Sequence, residues 1–278
     1  MDIVLPTTMD ANDGASDVEL PSDVEVSDPE MPELLTPSES GEIAELGGFR
    51  LREADHDIAE YYSRPRLLQI ADKFGLYGKM SKDLVTGIDF TLPLHRQQSL
   101  DDLDKHKVQF LMLSPPCTSF SRIQHLWNFG KMDPQKEIDM KNEGMIHLCH
   151  SVECAKRQVL RGRRFCLEHP SGASSWTEPD MLALLALPDV RTLTFDQCMV
   201  GLVTMVNQEP VRKRTKFATN CPHVYANFHQ LKCDKSHSHC VLQGSEGGVK
   251  RTAFAQCYPP PMVNLLLKSA AGWSSGVV

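Results

Sequence analysis

The stretch "KVQFLMLSPPCTSFSR", residues 107–122, decides how the rest of the chain is read. Four consecutive apolar residues, Phe110 to Leu113, have no polar alternation, which is the pattern of a strand covered on both faces in a parallel sheet. The run stops at Ser114-Pro115-Pro116. Two prolines fix the backbone of the turn and offer no amide donor. Cys117 follows them, so its thiol is expected to be held at the mouth of the strand.

Outward from this stretch, strand-like and helix-like segments alternate. Strands are predicted at residues 57–63, 77–84, 107–114, 163–170, 190–198 and 214–220. Helices are predicted at 66–76, at 133–160 with Asp133 as cap and Pro134 in the first turn, at 177–187 with Thr177 as cap, and at 259–270 behind a run of prolines. Residues 86–93 read as a loop. The alternation predicts an α/β fold with a mostly parallel, doubly wound sheet and helices on both faces. In such sheets ligands bind outside the carboxyl ends of the strands. Ser114, Cys117, Glu168 and Gln197 all fall at or just past predicted strand ends.

Charge is distributed unevenly. Residues 1–46 hold 13 of the 36 acidic residues and no lysine or arginine, leaving 23 acids against 29 bases elsewhere. This acidic tail has too few apolar residues to offset the entropy of ordering and is predicted to be disordered. A basic body behind it suits a nucleic-acid partner, and equally an ordinary enzyme with a solvated tail. No segment approaches the length of a membrane span, and no secretory leader is evident. The nine cysteines are therefore expected to be reduced thiols of an intracellular protein, nuclear if the host is a eukaryote.

The order of the short motifs resembles that of the DNA (cytosine-5) methyltransferases. Pro116-Cys117 matches the nucleophile loop, and "EHP" (Glu168-His169-Pro170) stands where that family has Glu-Asn-Val. "VRKRTKF", with Arg212 and Arg214, is nearest to its Gln-x-Arg-x-Arg element, and "AQCYPPPMVNLLL" (255–267) is similar to its closing helix. The segments "EYYSRPRL", "DLVTGIDF", "SPPCTSFS", "EHPSGASSW" and "DQCMVGL" look like a divergent branch found in mobile-element polyproteins. The resemblance covers roughly residues 57–270. It implies a Rossmann-like methyltransferase domain over 56–270 with a short recognition insert at 220–250, S-adenosylmethionine as cofactor, and DNA as partner, with RNA open. Oligomeric state is not legible.

It also implies roles. Cys117 adds to cytosine carbon 6, Glu168 holds the ring nitrogen N3, and Arg214 or Arg212 braces Glu168 or the base oxygen. The target base must leave the stack. Ser119, Ser121 and Gln197 become substrate contacts. Tyr62, Ser63, Asp83, Asp89, Ser114 and Pro115 become cofactor contacts, with Asp83 on the ribose and Asp89 on the adenine amino group. The sequence departs from the family at the first turn, where Phe-x-Gly-x-Gly is expected and the glycine-free "YYSRPRL" stands. The alternative reading is a decayed methyltransferase fold kept as a nucleic-acid or protein-binding module of a mobile element. "SPPC" also resembles the motif of amine-directed methyltransferases, but cysteine cannot stack on a base as their fourth residue does.

The segment "NCPHVYANFHQLKCDKSHSHC" (220–240) is rich in histidine and cysteine. It is expected to be a packed insert without metal. If a zinc site existed, its ligands would be Cys221, Cys233, His237 and one of His239 or Cys240.

Overall fold

A computed structural model describes residues 57–78, 80–122 and 124–274. The acidic segment 1–46 lies outside the described residues. The central sheet has six strands: β1 (Ile58–Tyr61), β2 (Met80–Lys82), β3 (Phe110–Leu113), β4 (Arg164–Pro170), β5 (Arg191–Asp196) and β6 (Arg214–Thr219), in the spatial order β2-β1-β3-β4-β6-β5. Strands β1 to β4 pair in parallel, whereas β6 is antiparallel to both β4 and β5. The sheet is therefore mostly parallel, as expected, with one reversed strand wedged near its edge.

That reversal determines which residues gather at the carboxyl edge of the parallel strands. The chain leaves β1 toward β2 on one side and returns to β3 on the other, so the order switches between β1 and β3. A crevice opens outside the carboxyl ends at such a point. Because β6 runs backward, its first residue, Arg214, pairs with Asp196 at the end of β5, and Thr215 pairs with Pro170 at the end of β4. One edge thus collects the residues after β1, β2, β3, β4 and β5 and those before β6.

Two apolar layers cover the sheet. On one face α1 (Pro93–Lys105), α2 (Pro134–Leu160) and α3 (Pro179–Leu185) pack against Ala59, Tyr61, Leu111, Leu113, Phe165 and Leu167. On the other, α4 (Pro222–Phe228) and α6 (Pro260–Ser274) pack against Ile58, Phe110, Met112, Cys166, Phe195 and Phe217. The alternating assignment of neighbouring strand residues to the two layers follows from the twofold period of a strand. α2 begins as expected, with the Asp133 carboxylate accepting from the Lys136 amide at 3.0 Å. Between α4 and α6 lie the hairpin β7 (Ser245–Glu246) and β8 (Val249–Lys250) and the short α5 (Arg251–Phe254).

Several expectations are corrected. Residues 66–76 do not form a full helix: turns lead into one short 3-10 turn, Ala71–Phe74, closed by Gly75 in the left-handed region. The Leu67 amide is taken by the Glu60 carboxylate at 3.0 Å. α1 was not foreseen, because its sequence is mostly polar and only Ser99, Leu100 and Leu103 are buried. Thr177 does not cap α3; its hydroxyl donates to the Ser174 carbonyl, and α3 starts at Pro179. Within residues 220–250, expected to form an insert, Val224 and Phe228 of α4 are fully buried in the main core. Among the described residues no helix is long and apolar enough to cross a membrane.

Candidate functional site

Cys117 follows the end of β3 by four residues and sits half-buried where the backbone enters a 3-10 turn, Thr118–Phe120, with the Phe120 amide bonded to the Cys117 carbonyl. The loop before it is fastened at three points. The Ser114 amide donates to the Tyr61 carbonyl at 3.2 Å, which ties it to β1. The Ser114 hydroxyl bonds the Tyr258 hydroxyl at 2.6 Å, which ties it to the segment leading into α6. The Pro115 carbonyl lies 3.1 Å from Nε2 of His169, whose Nδ1 lies 2.6 Å from the Ser175 hydroxyl. His169 is fully buried, and burial holds its pKa down at about 4, so the ring is neutral. A neutral ring has one N–H. Donation to Pro115 therefore fixes that proton on Nε2 and leaves Nδ1 to accept from Ser175.

Glu168, the residue before this histidine, points to the opposite face of the sheet from the His169 side chain. It is buried, and its Oε1 has no hydrogen-bond partner. Burial raises its pKa, opposed by the Lys213 ammonium, whose Nζ lies 3.9 Å from Oε1. The Cys117 thiol pKa is also raised, first by burial and then by the charge of Glu168, with Lys213 pulling it down. Cys117, Glu168 and Lys213 thus form one electrostatic unit. An orphaned buried carboxyl oxygen beside a thiol is a costly arrangement for a structural site.

The cation at Glu168 corrects the expectation. Arg214 makes two bonds to the Asp196 carboxylate, at 3.0 and 3.3 Å, and Arg212 reaches the same carboxylate at 3.3 Å. Neither braces Glu168. The Lys213 amide turns back to the Val211 carbonyl at 3.0 Å, and the lysine between the two arginines, not either arginine, reaches the Glu168 carboxyl. Asp196 is fully buried; burial would raise its pKa, but Arg214 and the Cys233 amide outweigh this and hold it below the usual range.

The proposed substrate contacts divide. Ser119 is buried against α2, where Gly144 leaves room for its hydroxyl: a β-carbon on Gly144 would stand 1.8 Å from Ser119 Oγ. Gln197 is fully buried and donates to the Thr215 hydroxyl at 2.9 Å. Both position the edge rather than face solvent. Ser121 is partly exposed.

In the turn after β1, Tyr62 adopts φ +64°, a left-handed conformation at the place where the motif that the sequence resembles has glycines. Its ring packs 4.4 Å from Phe90 and edge-on to His147, and its hydroxyl donates to the His147 carbonyl. Ser63 donates to the carboxyl of Glu60 at 2.7 Å. Glu60 is wholly buried beneath this turn, and burial pushes its pKa up to about 7 against the bonds from Ser63 and Leu67. Asp83 follows β2 and accepts the Val85 amide through Oδ1. Asp89 accepts the Thr91 amide and hydroxyl, also through Oδ1. Both carboxylates are partly exposed. Pro115 is buried, and its contribution is the carbonyl held by His169.

Sequence reasoning missed Lys213, His169 and Tyr258. The signals were present: a lysine between two edge arginines, a histidine immediately after the strand-end glutamate, and a tyrosine opening the closing proline run.

The cysteines and histidines singled out in 220–240 do not all come together. Cys221 follows β6, so it lies at the amino edge of the parallel strands, packed in the main core. Cys240 packs against the small cluster of Leu202, Val211 and Ala255. Cys233 and His237 do come together, with Cys198 and His239. Comparison with known proteins returns no matching family model and no matching curated protein.

Proposed function

We propose that this chain is a Rossmann-like, S-adenosylmethionine-dependent methyltransferase that acts on carbon 5 of cytosine in DNA through Cys117. The observation that carries this reading is a half-buried thiol in the electrostatic reach of a buried carboxyl, one oxygen of which makes no hydrogen bond and has the Lys213 ammonium at 3.9 Å, on one loop-and-strand edge beside the sheet's switch point. A neutral Glu168 is suited to donate a proton to N3 of an extruded cytosine. That donation makes carbon 6 electrophilic, and the Cys117 thiolate adds there after its proton leaves to water. Carbon 5 is then nucleophilic. Once carbon 5 has taken the methyl group, a water molecule accepts the carbon-5 proton, its electron pair restores the 5,6 double bond, the carbon–sulfur bond breaks to release the Cys117 thiolate, and the N3 proton returns to Glu168. The two raised pKa values are mutually consistent: a protonated Glu168 removes the negative charge that opposes ionisation of the thiol.

The cofactor, when bound, supplies an electrophilic methyl group. The donor set fits its adenosine half: Asp83 and Asp89 are partly exposed carboxylates at the end of β2 and in the following loop, and each engages one oxygen, Oδ1, locally. These would hold the ribose hydroxyls and the adenine amino group. Tyr62 and Ser63 would line the methionine half with backbone rather than glycine.

The glycine-free turn at Tyr62 favours a second reading, a non-catalytic nucleic-acid-binding module on the same fold. Cofactor affinity separates the two. The enzyme reading expects saturable micromolar binding, roughly -8 kcal/mol; absence of saturable binding favours the module. The product is tested by mass spectrometry of nucleosides after incubation with labelled cofactor and mixed DNA and RNA. Labelled 5-methyldeoxycytidine supports the proposal. Label on an exocyclic amine, or on RNA alone, overturns it.

A further inference from the structure

We propose that Cys198, Cys233, His237 and His239 bind one structural zinc ion that clamps the insert to the end of β5. The four ligand atoms lie within 4.8 Å of one another. Cys233 Sγ stands 3.7 Å from Nε2 of His237 and 3.3 Å from Nε2 of His239. Tetrahedral zinc with Zn–S near 2.3 Å and Zn–N of 2.0–2.1 Å requires sulfur–nitrogen separations of about 3.6 Å. The side chains already bracket that value.

The surrounding backbone favours ligation over chance proximity. The Lys235 amide donates to Cys233 Sγ at 3.3 Å, and Lys235 takes φ +66°, the left-handed turn that lets residues 233, 237 and 239 converge. The Cys233 amide donates to the buried Asp196 carboxylate at 3.1 Å, and the Asp196 amide donates to the Leu231 carbonyl at 2.9 Å. Asp196 in turn carries Arg212 and Arg214. The anchor of the sulfur ligand is therefore the same carboxylate that orders the arginine segment, an outer-shell arrangement of the kind that orients metal ligands. Residues 231–240 contain no helix or strand and few buried side chains, so packing alone supplies little to hold them. The ligand set comes from two places, a turn after β5 and the insert, which is how a single ion fastens a loop to a scaffold.

Binding balances simply. The two thiols release two protons to solvent, the two imidazoles ligate as neutral bases, and the zinc complex is neutral overall. The role is structural, because all four positions are filled by protein. This inference stands whether or not the edge transfers methyl groups.

The test uses the full chain, purified under reducing conditions and analysed for metal by mass spectrometry. One zinc per chain is expected. Cobalt(II) substituted into the unaltered chain is expected to give visible absorption of a tetrahedral site with thiolate-to-cobalt charge transfer. His239→Gln and Cys233→Ser should lower the stoichiometry to near zero with the far-ultraviolet circular dichroism of the sheet retained, whereas Cys240→Ser should keep the ion. The cobalt spectrum needs no variant, so it decides the matter even if a variant misfolds. An unaltered chain that takes up neither ion, a cobalt spectrum without thiolate bands, or equal zinc in Cys233→Ser overturns the proposal.

Discussion

Two stretches of the same sheet edge are built differently. The loop from Ser114 to Cys117 is fastened by Tyr61, Tyr258 and His169, and sets a thiol beside a buried carboxyl that has an unmatched oxygen. The turn from Tyr62 to Leu67 is closed on itself: Glu60 takes Ser63 and Leu67, and Tyr62 occupies a left-handed position with its ring packed inward. The first stretch leaves polar capacity for a ligand, while the second consumes its own. Departures from a functional pattern therefore need not spread along an edge. Each loop is set by its own hydrogen bonds, and reactivity depends on which groups remain unmatched.

The sharpest way to break this contrast is at Glu168. Glu168→Gln keeps the shape but gives up a titrating proton, and turnover should fall by about 10²–10⁴-fold with cofactor affinity unchanged. Unchanged single-turnover rates would remove Glu168 from the chemistry. On the other side of the contrast, Glu60 should make the fold less stable as pH rises. Its folded pKa is about 7 against an ordinary value of 4.5, so the folded state binds the extra proton. Stability is full below about 4.5 and declines as pH climbs through 7, by up to about 3 kcal/mol. Denaturant midpoints across this window should show that slope, and Glu60→Gln should flatten it.

Much of this architecture was legible. The unbroken apolar run at Phe110–Leu113 located β3, and Asp133-Pro134 located the start of α2, because burial on both faces and capping are local properties. Arg214 or Arg212 was expected to brace Glu168 or the base oxygen, because motif order does not reveal the local turn that leaves both arginines on Asp196 and Lys213 near the carboxyl. α1 was hidden by its polar surface. Cys198 was passed over, and Cys221 was grouped with Cys233, His237 and His239 or Cys240, for a more basic reason: the reversed β6 carries Cys221 to the far edge and brings the turn after β5 beside residues 233–239, and no spacing within 220–240 encodes that.

Gly144→Ala tests how tightly the first stretch is held. The added carbon would stand 1.8 Å from Ser119 Oγ, so the turn that carries Cys117 must shift. A loss of about 1–3 kcal/mol in stability is expected, with reduced activity. Adding Ser119→Gly should restore both, and failure of that rescue would show that the contact does not position Cys117. The smallest effect is expected at Lys213. Its ammonium lowers the pKa of both Glu168 and Cys117. Lys213→Met should therefore move both limbs of the activity profile, and the optimum between them, to higher pH. Arg214→Met should not move the optimum; if it shifts like Lys213→Met, the register drawn for residues 212–214 is wrong.

The most direct test is covalent capture of the chain on DNA containing 5-fluorocytosine in the presence of the methyl donor, read as an adduct that survives denaturation. The unaltered protein should form it, and Cys117→Ser should bind the same DNA without forming it. An adduct that persists in Cys117→Ser, or none from a protein shown to bind both donor and DNA, would contradict the assignment of Cys117 as the nucleophile.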